Sequence, residues 1–119
     1  MDNKDFGKVL EARTKQFAID IIKMSSGLPS SPEGLVIRNQ VTKSGTSIGA
    51  NYREANRSRS KAEFVSRIRI CESESSETAY CLEIIEALNW ANVQALAEIL
   101  KEVNELLAIF SATGKTLKL

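Results

Sequence analysis

Apolar positions recur at steps of three and four along almost the whole chain, which predicts helices and no strand of useful length. Phe6, Val9, Leu10, Phe17, Ile21 and Met24 mark a first helix over about 5–25, with Gly27 as the residue just past its end. Leu28-Pro29-Ser30-Ser31-Pro32 is the clearest break, and it carries the next start signal: Ser31 as N-cap, Pro32 at the first position, Glu33 in the first turn. A second helix is predicted over 32–56. Asn56-Arg57-Ser58-Arg59 is a polar connection, and Ser60-Lys61-Ala62-Glu63 is a capping box that opens a third helix over about 60–89. Along it, Phe64, Ile68, Cys71, Ser75, Thr78, Leu82 and Ile85 form a heptad seam with small residues at its centre. A neighbouring row, Ile70, Glu74, Glu77, Cys81, Ile84 and Leu88, has the same rhythm, so this helix needs more than one neighbour. Asn89-Trp90-Ala91-Asn92 ends it and caps a fourth helix over about 92–113, whose seam is Val93, Leu96, Leu100, Val103, Leu107 and Phe110. Thr113-Gly114-Lys115 closes that helix, and the tail Thr116–Leu119 is expected to fray. Four long helices on short links predict an all-α, up-down-up-down antiparallel four-helix bundle, a single domain over 1–119.

The second helix is odd in its middle. Gly45 and Gly49 each cost about 1 kcal/mol against Ala in an exposed helix interior. Spaced four apart, they bare the backbone on one face, where another helix can approach closely; the alternative is a break or loop here. The small centre of the third helix (Cys71, Ser75, Thr78) is the expected counterpart. Beside the apolar face of the second helix runs a polar stripe of Gln40, Ser44, Ser47, Asn51 and Glu54. Such a stripe is either solvated or tied into hydrogen bonds with neighbouring helices. On the second reading, Gln40, Ser47, Asn51 and Glu54, with Glu77 of the third helix, form an inter-helix polar network.

Composition excludes several classes of chemistry. Histidine is absent, so a Ser/His/Asp triad, a Cys/His pair and the usual zinc sites cannot be built within one chain. A di-metal carboxylate bundle needs Glu-x-x-His pairs, which this chain lacks, so a metal-binding bundle ranks last among the alternatives. Glu74 and Glu77 share a face that could take a cation, but a solvated acidic face, or pairing with arginines of another helix or subunit, is the simpler account. Cys71 and Cys81 stand about 15 Å apart along one helix and cannot pair within it. Gly45-Thr46-Ser47-Ile48-Gly49 and Gly114-Lys115-Thr116 both lack the spacing and context of a phosphate loop. No catalytic residue, cofactor or metal is expected. No apolar run approaches a membrane span and Met1-Asp2-Asn3-Lys4-Asp5 does not read as a signal peptide, so the expected compartment is the cytoplasm.

Net charge is +1, unevenly spread: residues 1–70 hold 13 Lys/Arg against 7 Asp/Glu, and residues 71–119 hold 3 against 8. Arg53, Arg57, Arg59, Lys61, Arg67 and Arg69 cluster around the link between the second and third helices, at one end of the bundle. The cluster is either a solubilising, salt-bridged surface or a contact patch for the phosphates of RNA or DNA, with Arg53, Arg57, Arg59, Lys61 and Arg67 as the contact residues. Tyr52 and Phe64 read as core, so base stacking is not expected.

Gln40, Ser47-Ile48, Ala50-Asn51, Glu54, Arg59, Glu63-Phe64, Ile70, Ser76-Glu77-Thr78, Tyr80 and Leu82 together resemble a small bacterial family of four-helix bundles encoded in intervening sequences of 23S ribosomal RNA genes. Ala55 stands where the family often has glycine. The resemblance implies a bundle that assembles as a ring of five with no established enzyme activity. It also implies kinship with the accessory variability proteins of diversity-generating retroelements, which bind nucleic acid and a reverse transcriptase and are typically far more basic than this chain. The expected function is a non-enzymatic, self-assembling structural or adaptor protein with an unidentified protein partner. The alternatives are a nucleic-acid-binding accessory factor with a basic rim and, behind it, a metal-binding or catalytic bundle.

Overall fold

The computed structural model describes residues 2–116 and contains four helices: α1 (Asn3–Ser25), α2 (Pro32–Asn56), α3 (Lys61–Ala87) and α4 (Val93–Thr116). The start of each is set by an N-cap side chain that accepts from an otherwise unpaired backbone N–H. Ser31 Oγ accepts from Gly34 N, Ser60 Oγ from Glu63 N and Asn92 Oδ1 from Ala95 N, at 3.1, 3.1 and 2.9 Å. Asp2 does the same for Asp5 N, so α1 begins two residues earlier than its apolar pattern predicts. The capping box is displaced by one residue: Glu63 accepts from the N–H of Arg59 rather than from that of Ser60.

The helix ends differ from expectation in two places. Gly27 follows α1 without adopting a left-handed conformation; its N–H bonds the Met24 carbonyl in a right-handed turn. The left-handed cap belongs instead to Asn89 (φ 56°), where the N–H of Asn89 bonds Glu86 O and that of Trp90 bonds Ile85 O, the paired bonds of a Schellman motif. Gly114 does not close α4. It lies inside the helix and lets Arg69 lie across it, 3.2 Å from where a Cβ would stand. Of the expected frayed tail, Thr116 is helical and 117–119 lie outside the described residues.

The described chain measures 44 × 26 × 20 Å. At 1.5 Å per residue, α3 alone is about 40 Å long, so the helices lie side by side. The packing order is α1–α2–α3–α4 around a square, with the diagonal backbones apart and α2 and α4 meeting through side chains such as Tyr52 and Phe110, and with α1 meeting α4 over a much shorter stretch than the other neighbours. The seam read along α3 is buried from Ile68 to Ile85, with Phe64 half-buried. In α4 the buried row is Leu96, Ile99, Val103, Leu106 and Phe110, while Leu100 and Leu107 are half-buried and Val93 is 72% exposed. The doublets Ile99-Leu100 and Leu106-Leu107 offer two rows, and the helix turns the first of each inward. In α1 the core row is Leu10, Thr14, Phe17 and Ile21, leaving Phe6 and Val9 largely in solvent.

The glycine face of α2 packs on α1, not on the small centre of α3. A Cβ at Gly45 would stand 3.0 Å from Cγ1 and Cγ2 of Ile21, and one at Gly49 3.0 Å from Thr14 Oγ1. The α3 centre instead receives Ser44 and Ile48: the Ser44 and Thr78 hydroxyls share a buried 2.8 Å hydrogen bond, and the Cys71 thiol donates to the Ile48 carbonyl at 3.5 Å. The tightest approach was not legible in the pattern. A Cβ at Gly34 would fall 2.1 Å from the carbonyl oxygen of Pro29, so only glycine lets α2 leave the loop at this angle.

Candidate interaction surfaces

Up-down order brings the start of α1, the end of α2, the start of α3 and the end of α4 to one end of the bundle. The Arg53–Lys61 cluster sits there. Arg53 Nε lies 3.9 Å from Glu11 Oε1, Arg67 donates to Asn51 Oδ1 at 3.1 Å, and Arg69 spans Glu72 and the Gly114 carbonyl. Arg57, Arg59 and Lys61 are exposed, and among the described residues their side chains have no ion-pair partner. The same end gathers Lys4 and Lys8 from α1 and Lys115 from α4, which the sequence reading passed over because they are remote in the chain. The topology alone could have found them. The basic residues of this end outnumber its acids Asp2, Asp5, Glu11, Glu54 and Glu63, and at the opposite end Glu33, Glu83, Glu86 and Glu98 outnumber Lys23 and Arg38, so the two ends differ in the sign of their net charge.

Of the five residues expected to form an inter-helix polar network, Asn51 alone bonds a side chain of another helix, and its partner is Arg67. Ser47 donates to the Lys43 carbonyl of its own helix, and the Asn51 amide donates to Ser47 O, the local bonding that Ser and Asn favour within a helix. Gln40, Glu54 and Glu77 are exposed and, among the described residues, make no inter-helix side-chain bond. Burial holds the Glu74 carboxyl above its usual range; Glu77 adds to this and Lys43 opposes it. No three Cys, Asp or Glu side chains gather as metal ligands among the described residues. Burial pushes the Cys71 thiol up to about 12 and raises that of Cys81. Both thiols sit in the core as small apolar groups.

The second row of α3 differs from its sequence reading. Cys81 is turned inward and Glu74 half-buried, because α3 lies between α2 and α4 and buries the wide arc Thr78, Ala79, Cys81, Leu82 and Ile85. The outward row is Ile70, Ser73, Glu77, Tyr80, Ile84 and Leu88. Ile70 is 37%, Tyr80 66% and Leu88 49% exposed, and a shallow depression beside Ser73, Glu77 and Tyr80 reaches Leu107 of α4.

The short α1–α4 seam is clasped in the middle. Arg13 donates from Nε and Nη2 to the two carboxylate oxygens of Glu102 at 3.0 and 2.6 Å, and Glu105 lies 3.6 Å away. This hydrogen bonding raises the Arg13 pKa further. On either side of the clasp the helices part. Toward the acidic end a cavity of about 590 Å³ is floored by Phe17, Met24, Trp90 and Ile99. Toward the basic end a cavity of about 500 Å³ is walled by Phe6, Tyr52, Phe64 and Phe110.

A family model described as 23S rRNA-intervening sequence protein matches residues 10–112. The chain belongs to this family. Its match spans all four helices of the bundle. A solved structure, a protein of unknown function from the S23 ribosomal protein family of Bacteroides thetaiotaomicron, is 28% identical, covers 88% of this chain and 97% of its own, and superposes with a TM-score of 0.80. No curated protein matches the sequence. Among the described residues no helix is long and apolar enough to cross a membrane.

Proposed function

We propose that this family member is a non-enzymatic subunit that assembles with copies of itself and acts in the cytoplasm as a structural or adaptor protein for a protein partner. The observation that carries the reading is the outward row of α3. Ile70, Tyr80 and Leu88 leave apolar surface, interrupted by Ser73 and Glu77, on a helix whose opposite side is already filled by its own bundle. A second copy covers that surface, and a heterologous contact that rotates to closure yields a ring; the ring of five rests on the family resemblance. Sedimentation velocity of the wild type and an Ile70→Glu/Tyr80→Glu double variant tests it. The wild type is expected to sediment as an oligomer and the variant as a folded monomer. Equal sedimentation of the two contradicts the use of this face.

A second reading concerns the basic end. Arg57, Arg59 and Lys61 are exposed and unpaired among the described residues, and Lys4, Lys8 and Lys115 lie at the same end. That supports binding of RNA or DNA through phosphates, multiplied where a parallel ring brings several copies to one rim. The kinship to retroelement accessory proteins that the resemblance implies would belong with this reading. Binding of labelled strands is expected to weaken steeply with salt and to be lost in Arg57→Glu/Arg59→Glu; binding unchanged by the double variant removes the basic end.

A further inference from the structure

The cavity at the basic end has a composition that electrostatics alone does not call for. Its walls hold Phe6, Tyr52, Phe64 and Phe110, four of the seven aromatic residues of the chain. Tyr52 and Phe110, 5% and 0% exposed, are tilted against each other with ring centroids 5.7 Å apart and lie behind the accessible surface of the recess. Phe64 is half-buried, and Phe6, in the first turns of α1, is 46% exposed at the mouth. The volume of about 500 Å³ lies in the range of small-molecule sites. Polar lining is sparse. The Thr113 and Thr116 hydroxyls donate to the Ile109 and Ala112 carbonyls of their own helix, which leaves the Asn3 carboxamide and the Tyr52 hydroxyl as lining groups able both to donate and to accept. Lys61 is the first residue of α3, one turn before Phe64 on the same stripe and outside the lining itself, while Asp2 and Asp5 flank Asn3 on the α1 side. An aromatic-walled recess with a cation at its rim is complementary to a planar ring that carries an anion.

We infer that this recess binds a nucleotide unit, with its base on Phe6 and the accessible part of Phe64, its edge at Asn3 and its phosphate at Lys61. The unit is either a free nucleotide or an unpaired nucleotide of a strand. The inference shares with the second reading above the premise that this end meets phosphate, and it adds a base pocket that the basic side chains do not require. Phe6 is the residue to change, because half of its surface is already in solvent and its loss leaves the core intact. Stacking on an aromatic side chain contributes about 1 kcal/mol or more per base, which is about fivefold in affinity.

The test is calorimetric titration of the full chain with AMP, adenosine, ribose phosphate, an unstructured single-stranded RNA and a blunt RNA duplex. Circular dichroism checks that each variant is folded. AMP is expected to bind better than either of its halves, and the single strand better than the duplex. Phe6→Ala is expected to weaken AMP and the single strand at least fivefold while leaving ribose phosphate unchanged, and Lys61→Gln to weaken AMP but not adenosine. AMP binding without strand binding supports the pocket and defeats the strand reading of the basic end. Strand binding that Arg57→Glu/Arg59→Glu abolishes and Phe6→Ala leaves unchanged overturns the pocket and keeps that reading. Absence of binding by both AMP and the single strand overturns both.

Discussion

Gly34→Ala is the smallest change that tests how α2 is held. The added methyl would stand 2.1 Å from the Pro29 carbonyl oxygen and 2.8 Å from its carbon, both backbone atoms that no rotamer change can move. Relief requires the loop or the first turn of α2 to shift, and that turn also holds the 3.1 Å bond from Gly34 N to Ser31 Oγ. Overpacking costs roughly 1–3 kcal/mol, and weakening the N-cap adds about 1 kcal/mol. Against this, alanine gains up to about 1 kcal/mol over glycine in helix propensity and unfolded-state entropy. The net expectation is a loss of about 2 kcal/mol, or a fall of about 8 °C in melting temperature for a chain of this size. Gly27→Ala, seven residues earlier, is the internal control: the nearest atom to its Cβ is 3.7 Å away and its φ is not positive, so a gain of about 0.4–1 kcal/mol is expected. The assay is chemical and thermal denaturation at one fixed protein concentration, because the proposed self-assembly would make stability concentration-dependent. If Gly34→Ala is as stable as the wild type, the close approach to Pro29 does not constrain α2.

Gly45→Leu and Gly49→Leu are expected to lower the denaturation midpoint by roughly 1–3 kcal/mol through Ile21 and Thr14; a gain in either would place that glycine on an open face. Glu74→Gln is expected to stabilise the protein at neutral pH. The folded chain holds the Glu74 proton to higher pH than the unfolded chain does, so stability is lost as pH rises from the usual carboxylate range through the raised value. The advantage of the variant in pH-dependent melting should therefore vanish in acid. With its pKa near 12, Cys71 is expected to resist a thiol reagent at mildly alkaline pH and to react once denaturant is added; rapid reaction in the native state would contradict its burial.

The bundle and its punctuation were legible because each start signal is a local, side-chain-to-backbone device. Ser31, Ser60 and Asn92 act within three residues of where they stand, and α2 runs from Pro32 to Asn56 as its pattern predicts. Rotation about the helix axis was less legible. Adjacent apolar pairs such as Ile99-Leu100 satisfy two rows equally, and which row faces inward depends on where α1 and α3 sit. The same ambiguity exchanged Cys81 for Tyr80 on the outer row of α3. Side-chain partnerships across helices were legible least. Asn51 and Arg67 meet through tertiary geometry, while Ser47 is occupied by its own helix. The basic end draws on all four helices, since Lys4, Lys8 and Lys115 arrive by topology rather than by proximity in sequence.

Self-assembly through the outer face of α3 is the central claim, and the molar mass in solution tests it most directly. Light scattering of the purified chain at micromolar concentration should give a single species at a multiple of 13.1 kDa, five-fold if the family resemblance extends to the ring. A monomer of 13.1 kDa at that concentration would contradict it and leave Ile70, Tyr80 and Leu88 without a partner of their own kind.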